Sequence, residues 1–178
     1  MNVLIHSCCG PCASACVPRL REEGHAVTMF YSNSNIDTRA EFEKRLAAAR
    51  TLAAAEGVTL VADDYDHAAW LRAVADGYEN EPEKGRRCER CYRYNLARTA
   101  AYAAAHGFEA FTTSLTVSPH KPSAKIFASS EDPKFLREDF KKREGFKLSV
   151  RRAGELGLYR QAYCGCEFSK RTSREEPT

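Results

Sequence analysis

The sequence predicts an α/β protein in which helices flank a parallel β-sheet. The chain has 178 residues, of which 43% are hydrophobic and 29% are charged, so it can bury a stable core without disulfide bonds. Short apolar segments alternate with longer segments rich in Ala, Leu, Glu and Arg. This alternation is typical of strand–helix–strand units whose strands pair in parallel.

The first half of the chain contains two strand–helix pairs. Residues 3–6 are a short apolar run that predicts a buried strand. A helical pattern over residues 13–23 follows and is closed by a glycine. Residues 26–31 are β-branched and aromatic, which predicts a second strand. Residues 38–56 consist mainly of strong helix formers and again end at a glycine, so they predict a long second helix.

The next part of the chain continues the same pattern. Residues 58–62 predict a third strand, and residues 67–75 a short helix. A polar loop over residues 77–85 leads into a long helix over residues 88–106, and residues 108–115 predict a fourth strand. Open parallel sheets bind ligands beyond the carboxyl ends of their strands, so we expect the site at the ends of the first and fourth strands.

We expect one domain over residues 1–178, with an α/β core over about residues 1–118. A basic C-terminal extension with a Cys-x-Cys pair follows over about residues 119–170. The N-terminus lacks the basic and long apolar regions of a secretory signal, and no apolar run is long enough to span a membrane. The sequence therefore predicts a cytoplasmic protein without a membrane partner, in which thiols stay reduced.

The positive charge is concentrated in two segments. Residues 83–98 contain six Lys or Arg against two Glu, and residues 134–152 contain eight against three acidic residues. Two basic segments on a chain with a formal net charge of only +3 suit a surface that docks a polyanion, although solvated helical faces would have the same composition.

Eight cysteines in a chain of this type indicate metal or redox chemistry. They form three groups, which are Cys8, Cys9, Cys12 and Cys16, then Cys88 and Cys91, then Cys164 and Cys166. The first group lies at a helix N-terminus, where backbone N–H groups favour the thiolate. Cys88 and Cys91 are spaced so that both sulfurs lie on one side of a helix. Two thiolates from each segment could close an iron–sulfur or zinc site, and the separation of about 80 residues favours the larger iron–sulfur cluster. We expect Cys16 to be a packing residue.

A competing hypothesis rests on Cys9-Gly10-Pro11-Cys12. This tetrapeptide between a strand and a helix looks like the dithiol of thioredoxin-like oxidoreductases. The nucleotide-binding motifs G-x-G-x-x-G and G-x-x-x-x-G-K-[ST] are absent, so a dehydrogenase or P-loop NTPase is not expected.

The Cys164-Gly165-Cys166 segment has two interpretations. Closely spaced thiols can form a strained, reducible disulfide. Alternatively both sulfurs could bind a second, mononuclear metal ion with a carboxylate such as Asp139.

Six motifs distributed over most of the chain carry a family resemblance. They are HSCCGPC at residues 6–12, NSNI at 33–36, EPE with RCERCY between 81 and 92, TTSL with SPHK between 112 and 121, DFKK at 139–142, and YRQAYCGC at 159–166. Together they resemble epoxyqueuosine reductases of the QueH type. The resemblance implies a Rossmann-like fold of the HUP class, a 4Fe-4S cluster without cobalamin, and an external electron donor. It also implies the two-electron removal of the epoxide oxygen from epoxyqueuosine at the wobble position of tRNA, which gives queuosine.

The resemblance also implies roles for individual cysteines. The implied cluster ligands are Cys8, Cys9, Cys88 and Cys91. The implied redox-active disulfide joins Cys164 and Cys166. From the residues themselves we add further candidates. Additional metal ligands would be Asp139 and Cys12. Proton donors would be Tyr163, Tyr159 and His120. Contacts to tRNA phosphates would be Arg86, Arg87, Lys121, Lys141, Lys142 and Arg160.

Overall fold

A four-stranded parallel sheet forms the centre of the structure, a computed structural model that describes residues 1–170. The strands are β1 (Asn2–His6), β2 (Ala26–Tyr31), β3 (Thr59–Ala62) and β4 (Ala110–Thr113), in the spatial order β3-β2-β1-β4. His6 lies opposite Phe30 of β2 and Thr113 of β4. The carboxyl ends of these three strands are therefore level at one edge of the sheet.

Helices connect the strands and cover both faces of the sheet. The α-helices are α1 (Gly10–Glu22), α2 (Arg39–Glu56), α3 (His67–Trp70), α4 (Arg86–Ala105), α5 (Ser123–Phe127) and α6 (Gly145–Glu155). A π-helical turn, Leu71–Ala75, continues α3, and a 3-10 turn, Ser114–Val117, follows β4. The predicted parallel α/β fold is thus confirmed, and the predicted helix over residues 67–75 divides into two helical types.

The first helix begins earlier than its apolar pattern predicts. Cys9 is its N-cap, and the Cys9 sulfur accepts the backbone N–H of Cys12 at 3.3 Å. Pro11 is tolerated in the first turn because the N–H that it lacks would have no helical partner there. The cysteine motif is therefore part of the helix start itself rather than a loop before it.

Alternate residues of β1 enter two different cores. Ile5 packs with α1 and α2 on one face of the sheet, whereas Leu4 packs with residues of α4 on the other. Both side chains are fully buried. Because a strand alternates its side chains between faces, this short apolar run anchors the two helical layers at once.

The C-terminal extension packs on the α/β core. Its helix α6 packs against α1, and Phe135 forms a parallel bridge to Phe111 beside β4. Cys8, Cys9 and Cys12 belong to the β1–α1 junction and not to this extension.

The single domain over residues 1–178 stays a prediction, and its last eight residues lie outside the described part. No helix within residues 1–170 is long and apolar enough to cross a membrane.

Candidate active site

A pocket of about 430 Å³ opens at the carboxyl ends of β1 and β4. Cysteines from all three sequence groups line it, namely Cys8, Cys12, Cys88, Cys91, Cys164 and Cys166. The sheet edge predicted to bind ligands therefore brings together thiols that are up to 158 residues apart in the chain. This convergence is the central feature of the site.

Cys8, Cys9 and Cys12 form a compact thiol cluster, with all three sulfurs within 4.8 Å of one another. The sulfurs of the adjacent Cys8 and Cys9 are 4.0 Å apart. Ser114, at the end of β4, accepts the Cys8 backbone N–H at 3.1 Å and donates its hydroxyl to the Cys8 sulfur at 3.3 Å. Neighbouring strand ends thus position the cluster, and its sulfurs have the spacing that a metal site requires.

The three thiols differ in their readiness to ionise. Hydrogen bonds from the Cys12 and Cys8 thiols, together with the Cys12 backbone N–H, hold the pKa of Cys9 well below its usual value. The Cys12 thiol also lowers the pKa of Cys8, but Cys9 and burial outweigh this effect and raise it to about 11. The pKa of Cys12 is raised well above its usual value because its thiol donates to Cys8 and Cys9. Of the three thiols, Cys9 is therefore the one whose ionisation its neighbours favour.

Cys88 and Cys91 lie on the first turn and a half of α4 and line the same pocket as Cys8 and Cys12. The Lys84 backbone N–H donates to the Cys88 sulfur at 3.3 Å, and the Asn95 side-chain amide lies 3.9 Å from the Cys91 sulfur. Burial raises the pKa of both thiols. A metal would overcome this burial effect because a bound thiol is deprotonated outright.

Cys164 and Cys166 lie on a loop that a buried arginine holds in place. Arg45 donates to the Cys164 carbonyl at 2.8 Å and to the Tyr163 carbonyl at 3.2 Å. Its guanidinium also pairs with Glu41 at 2.9 Å. Both cysteines are free thiols, Cys164 exposed and Cys166 buried. The pair is thus positioned at the pocket with one sulfur accessible from outside.

Lys121 lines the same pocket, although we expected it only to contact tRNA. Interaction with Cys164, and secondarily with Cys8, outweighs burial and raises the pKa of Lys121. Lys121 therefore keeps its positive charge at the pocket and can stabilise negative charge on sulfur or on a bound ligand.

The three candidate proton donors have different positions. His120 lines the pocket and is exposed. Tyr163 also lines it, but its hydroxyl donates to the Asp37 carbonyl at 2.9 Å. The Tyr159 hydroxyl donates to Glu41 at 2.9 Å, and Tyr159 does not line the pocket. The Tyr159 phenol holds the C-terminal segment against α2, and its role as a proton donor stays a prediction.

Asp139 does not lie with Cys164 and Cys166, as the alternative of a second metal site would require. Its carboxylate accepts the Ser123 hydroxyl at 3.1 Å and the Lys141 backbone N–H at 3.2 Å. Asp139 does not line the pocket and belongs to no group of potential metal ligands within residues 1–170. The Asp139 carboxylate therefore stabilises the loop in which it lies.

A different group, Asp37, His67 and Glu167, does bring one ligand atom each within 4.8 Å of the others. His67 Nε2 lies 2.9 Å from Glu167, and Lys170 pairs with Asp37 at 3.5 Å. Each carboxylate therefore already has a partner in the protein.

The candidate tRNA contacts divide by exposure. Arg86, Lys142 and Arg160 are exposed, and Lys141 is half-buried with its ammonium 2.6 Å from the Ser123 hydroxyl. Arg87 is only 2% exposed, and the structure corrects the expectation that it contacts phosphate. Its guanidinium donates to the backbone carbonyls of Tyr78, Glu79 and Glu81, and so holds the loop that precedes α4.

Sequence reasoning did not identify four residues that shape the pocket. They are Asn35, Arg45, Trp70 and Asn95. Asn35 lies within a motif that we noted, so that signal was available. The other three occur inside helical patterns, where nothing in the local sequence separates a pocket residue from a packing residue.

The comparisons with known proteins agree with this geometry. The family model of "Epoxyqueuosine reductase QueH" matches residues 3–172. Curated relatives with that description include one from Streptococcus pyogenes, 34% identical over 94% of this chain and 70% of the relative. Another, from Dehalococcoides mccartyi, is 34% identical over 95% of this chain and 92% of the relative. One from Thermotoga maritima is 35% identical over 98% of this chain and 93% of the relative. The chain therefore belongs to the epoxyqueuosine reductase QueH family.

Proposed function

We propose that this protein is an epoxyqueuosine reductase, an oxidoreductase of tRNA processing that removes the epoxide oxygen of epoxyqueuosine at the wobble position. The observation that carries the proposal is the convergence of three cysteine groups on one pocket in a chain that matches the family model over residues 3–172. The thioredoxin-like alternative explains only Cys9 and Cys12, and the match extends far beyond that tetrapeptide.

The donor set fits a 4Fe-4S cluster, whose usual ligands are four cysteine thiolates. The four sulfurs that we propose as ligands each have a protein donor within hydrogen-bond distance. They are Cys8, Cys9, Cys88 and Cys91. Donors of this kind stabilise the negative charge on ligand sulfurs. Cys12 lies beside this set, and we propose it as the spare thiol.

The reaction requires two electrons and two protons. The two C–O bonds of the epoxide break, a C=C bond forms, and the oxygen leaves as water. A bound cluster would supply electrons one at a time. Oxidation of the Cys164–Cys166 dithiol to a disulfide would release two electrons and two protons, and an external donor would reduce the disulfide again. No cobalamin is used in this scheme.

The protein's own residues have distinct tasks in this proposal. Lys121 stabilises the negative charge that develops on the epoxide oxygen, since it lines the same pocket as the thiols. His120 lines the pocket and can donate a proton to that oxygen. The exposed side chains of Arg86 and Arg160 bind tRNA phosphates around the opening. We place the protein in the cytoplasm, where thiols stay reduced.

The proposal is tested with protein purified without oxygen. We expect brown protein with about four irons per chain, which converts epoxyqueuosine to queuosine in tRNA, as measured by mass spectrometry of the digested nucleosides. Cys88→Ala should lose both iron and activity. Cys16→Ala is the matched control, because Cys16 is fully buried in the core and donates to the Cys12 carbonyl. Colourless wild-type protein that reduces disulfides but leaves the epoxide intact would contradict the proposal.

A further inference from the structure

The pocket walls contain buried polar atoms without partners. Among the residues that the structure describes, six buried side-chain nitrogen or oxygen atoms have no hydrogen-bond partner. Four of them belong to residues that line the pocket, namely Trp70, Arg87, Asn95 and Gln161. Unpaired buried atoms are rare in folded proteins and often mark the position of an ion or ligand. Their concentration here indicates that these bonds are completed only when the pocket is occupied.

The indole N–H of Trp70 is a buried donor in a restricted position. Trp70 is 1% exposed and packs in a small cluster with Val74 and Cys166, against which Cys91 also packs. Its ring stacks on that of His67, with centroids 5.4 Å apart and planes 14° apart. His67 is itself bound to the Ser34 carbonyl at 2.7 Å. The indole therefore cannot turn its N–H toward water.

Cys91 is the proposed cluster ligand nearest in packing to this N–H. It packs against the cluster that contains Trp70, and both residues line the same pocket. A neutral thiol is a weak acceptor, whereas a sulfur bound to iron carries more negative charge and accepts more strongly. The Trp70 N–H therefore forms its strongest hydrogen bond to Cys91 when the Cys91 sulfur is bound to iron.

We propose that the Trp70 indole N–H donates to the Cys91 sulfur of the cluster and raises the cluster's reduction potential. This inference rests on the cluster ligands proposed above. When the cluster takes up one electron from the external donor, negative charge on its sulfurs increases, so the hydrogen bond stabilises the reduced form more than the oxidised form. Trp70 is therefore a positioning residue that acts through Cys91.

The test uses the reduction potential, which a purely structural role of Trp70 would not move in a defined direction. Trp70→Phe keeps an aromatic ring and removes the N–H. We expect an unchanged iron content and a reduction equilibrium constant about tenfold lower, equal to about 59 mV for one electron, in a redox titration followed by EPR.

A second variant changes the donor strength with almost no change in shape. Trp70 is the only tryptophan of the chain, so growth with 5-fluorotryptophan replaces this position alone. Fluorine withdraws electron density and makes the N–H a stronger donor, so the potential should rise. Val74→Ala is the matched control for packing, because Val74 is equally buried in the same cluster and offers no donor. Its potential should equal that of the wild type.

The outcomes are distinguishable. If both tryptophan changes leave the potential at the wild-type value, or if Val74→Ala shifts it as far as Trp70→Phe does, the inference is wrong. If Trp70→Phe does not retain its cluster, the fluorinated protein decides alone. A wild-type protein without any cluster overturns the proposed cofactor together with this inference, whereas a wild-type cluster that does not respond overturns this inference alone.

Discussion

Replacing Arg45 with Met should detach the loop that carries Cys164 and Cys166 from α2. Arg45 is 1% exposed and is the donor to the carbonyls of Cys164 and Tyr163. It also pairs with Glu41 at 2.9 Å. Methionine retains much of the side-chain volume but offers no donor, so the two carbonyls and the Glu41 carboxylate lose a common partner.

The expected cost follows from the burial of these groups. Hydrogen bonds to a charged donor contribute about 1.5–3 kcal/mol each, and removal of one member of a buried ion pair costs about 3–5 kcal/mol. The Arg45–Glu41 pair lies within α2, so its loss destabilises the helix rather than opening the loop. The two bonds from Arg45 to the loop carbonyls, each taken at the lower end of about 1.5 kcal/mol, give a loss of about 3 kcal/mol in the free energy of loop closure, which raises the open fraction of the loop about 100-fold.

Two measurements check this value. The modification rate of the buried Cys166 by a thiol reagent should rise about 100-fold, because it reports the open fraction of the loop. Urea unfolding shows whether the loss is global or local. Arg39→Met is the matched control on the same helix. Arg39 pairs with Glu43 while both side chains are more than half exposed, and such pairs contribute about 0.5 kcal/mol.

The effect on the stability of α2 should depend on pH with a defined sign. Burial alone would raise the pKa of Glu41, but the hydrogen bonds from Arg45 and Tyr159 outweigh it and lower this pKa. The stabilisation is therefore complete above the ordinary pKa of a glutamate and is lost as the pH falls through the lowered value. Equal Cys166 modification rates in wild type and Arg45→Met at pH 7, or a difference in unfolding free energy that grows as the solution is acidified, would refute this reasoning.

Three further predictions follow from the same structure. Cys164→Ser should keep the iron content and colour of the protein while losing turnover with the external donor, and loss of the cluster would show that Cys164 is a ligand. Arg86→Ala should weaken tRNA binding and reduce the slope of log affinity against log salt by about 1. Arg87→Ala should instead lower the midpoint of urea unfolding, because three loop carbonyls lose their donor. If Arg87→Ala changed the salt slope and Arg86→Ala changed the unfolding midpoint, Arg87 would have to reach the surface. Asp63→Asn should cost about 1 kcal/mol at pH 7, since two hydrogen bonds from the partly exposed Arg98 outweigh burial and lower the pKa of Asp63. That cost should disappear as the pH falls through the lowered pKa, and a cost independent of pH would contradict the ion pair as its cause.

Local sequence patterns were sufficient to predict the fold class and the elements of the site. The strand Asn2–His6 is a short apolar run, and helices such as Arg39–Glu56 are long segments of helix formers, so backbone preference and burial act in the same direction. The position of Cys8 and Cys9 after the first strand also placed them at the ligand-binding edge, because parallel strands end at a common edge.

The tertiary structure alone decided which side chains are available for chemistry. Arg86 and Arg87 are adjacent and identical in type, yet one is exposed and the other is used to hold a loop. Tyr159 and Tyr163 both donate their hydroxyls to acceptors more than 100 residues earlier in the chain, Glu41 and the Asp37 carbonyl, yet only Tyr163 lines the pocket. Arg45 and Trp70 became part of the site through contacts with the distant Cys164 and Cys91. Burial and hydrogen-bond partners depend on residues far apart in the sequence, and no local pattern of charge or hydrophobicity encodes which of them meet.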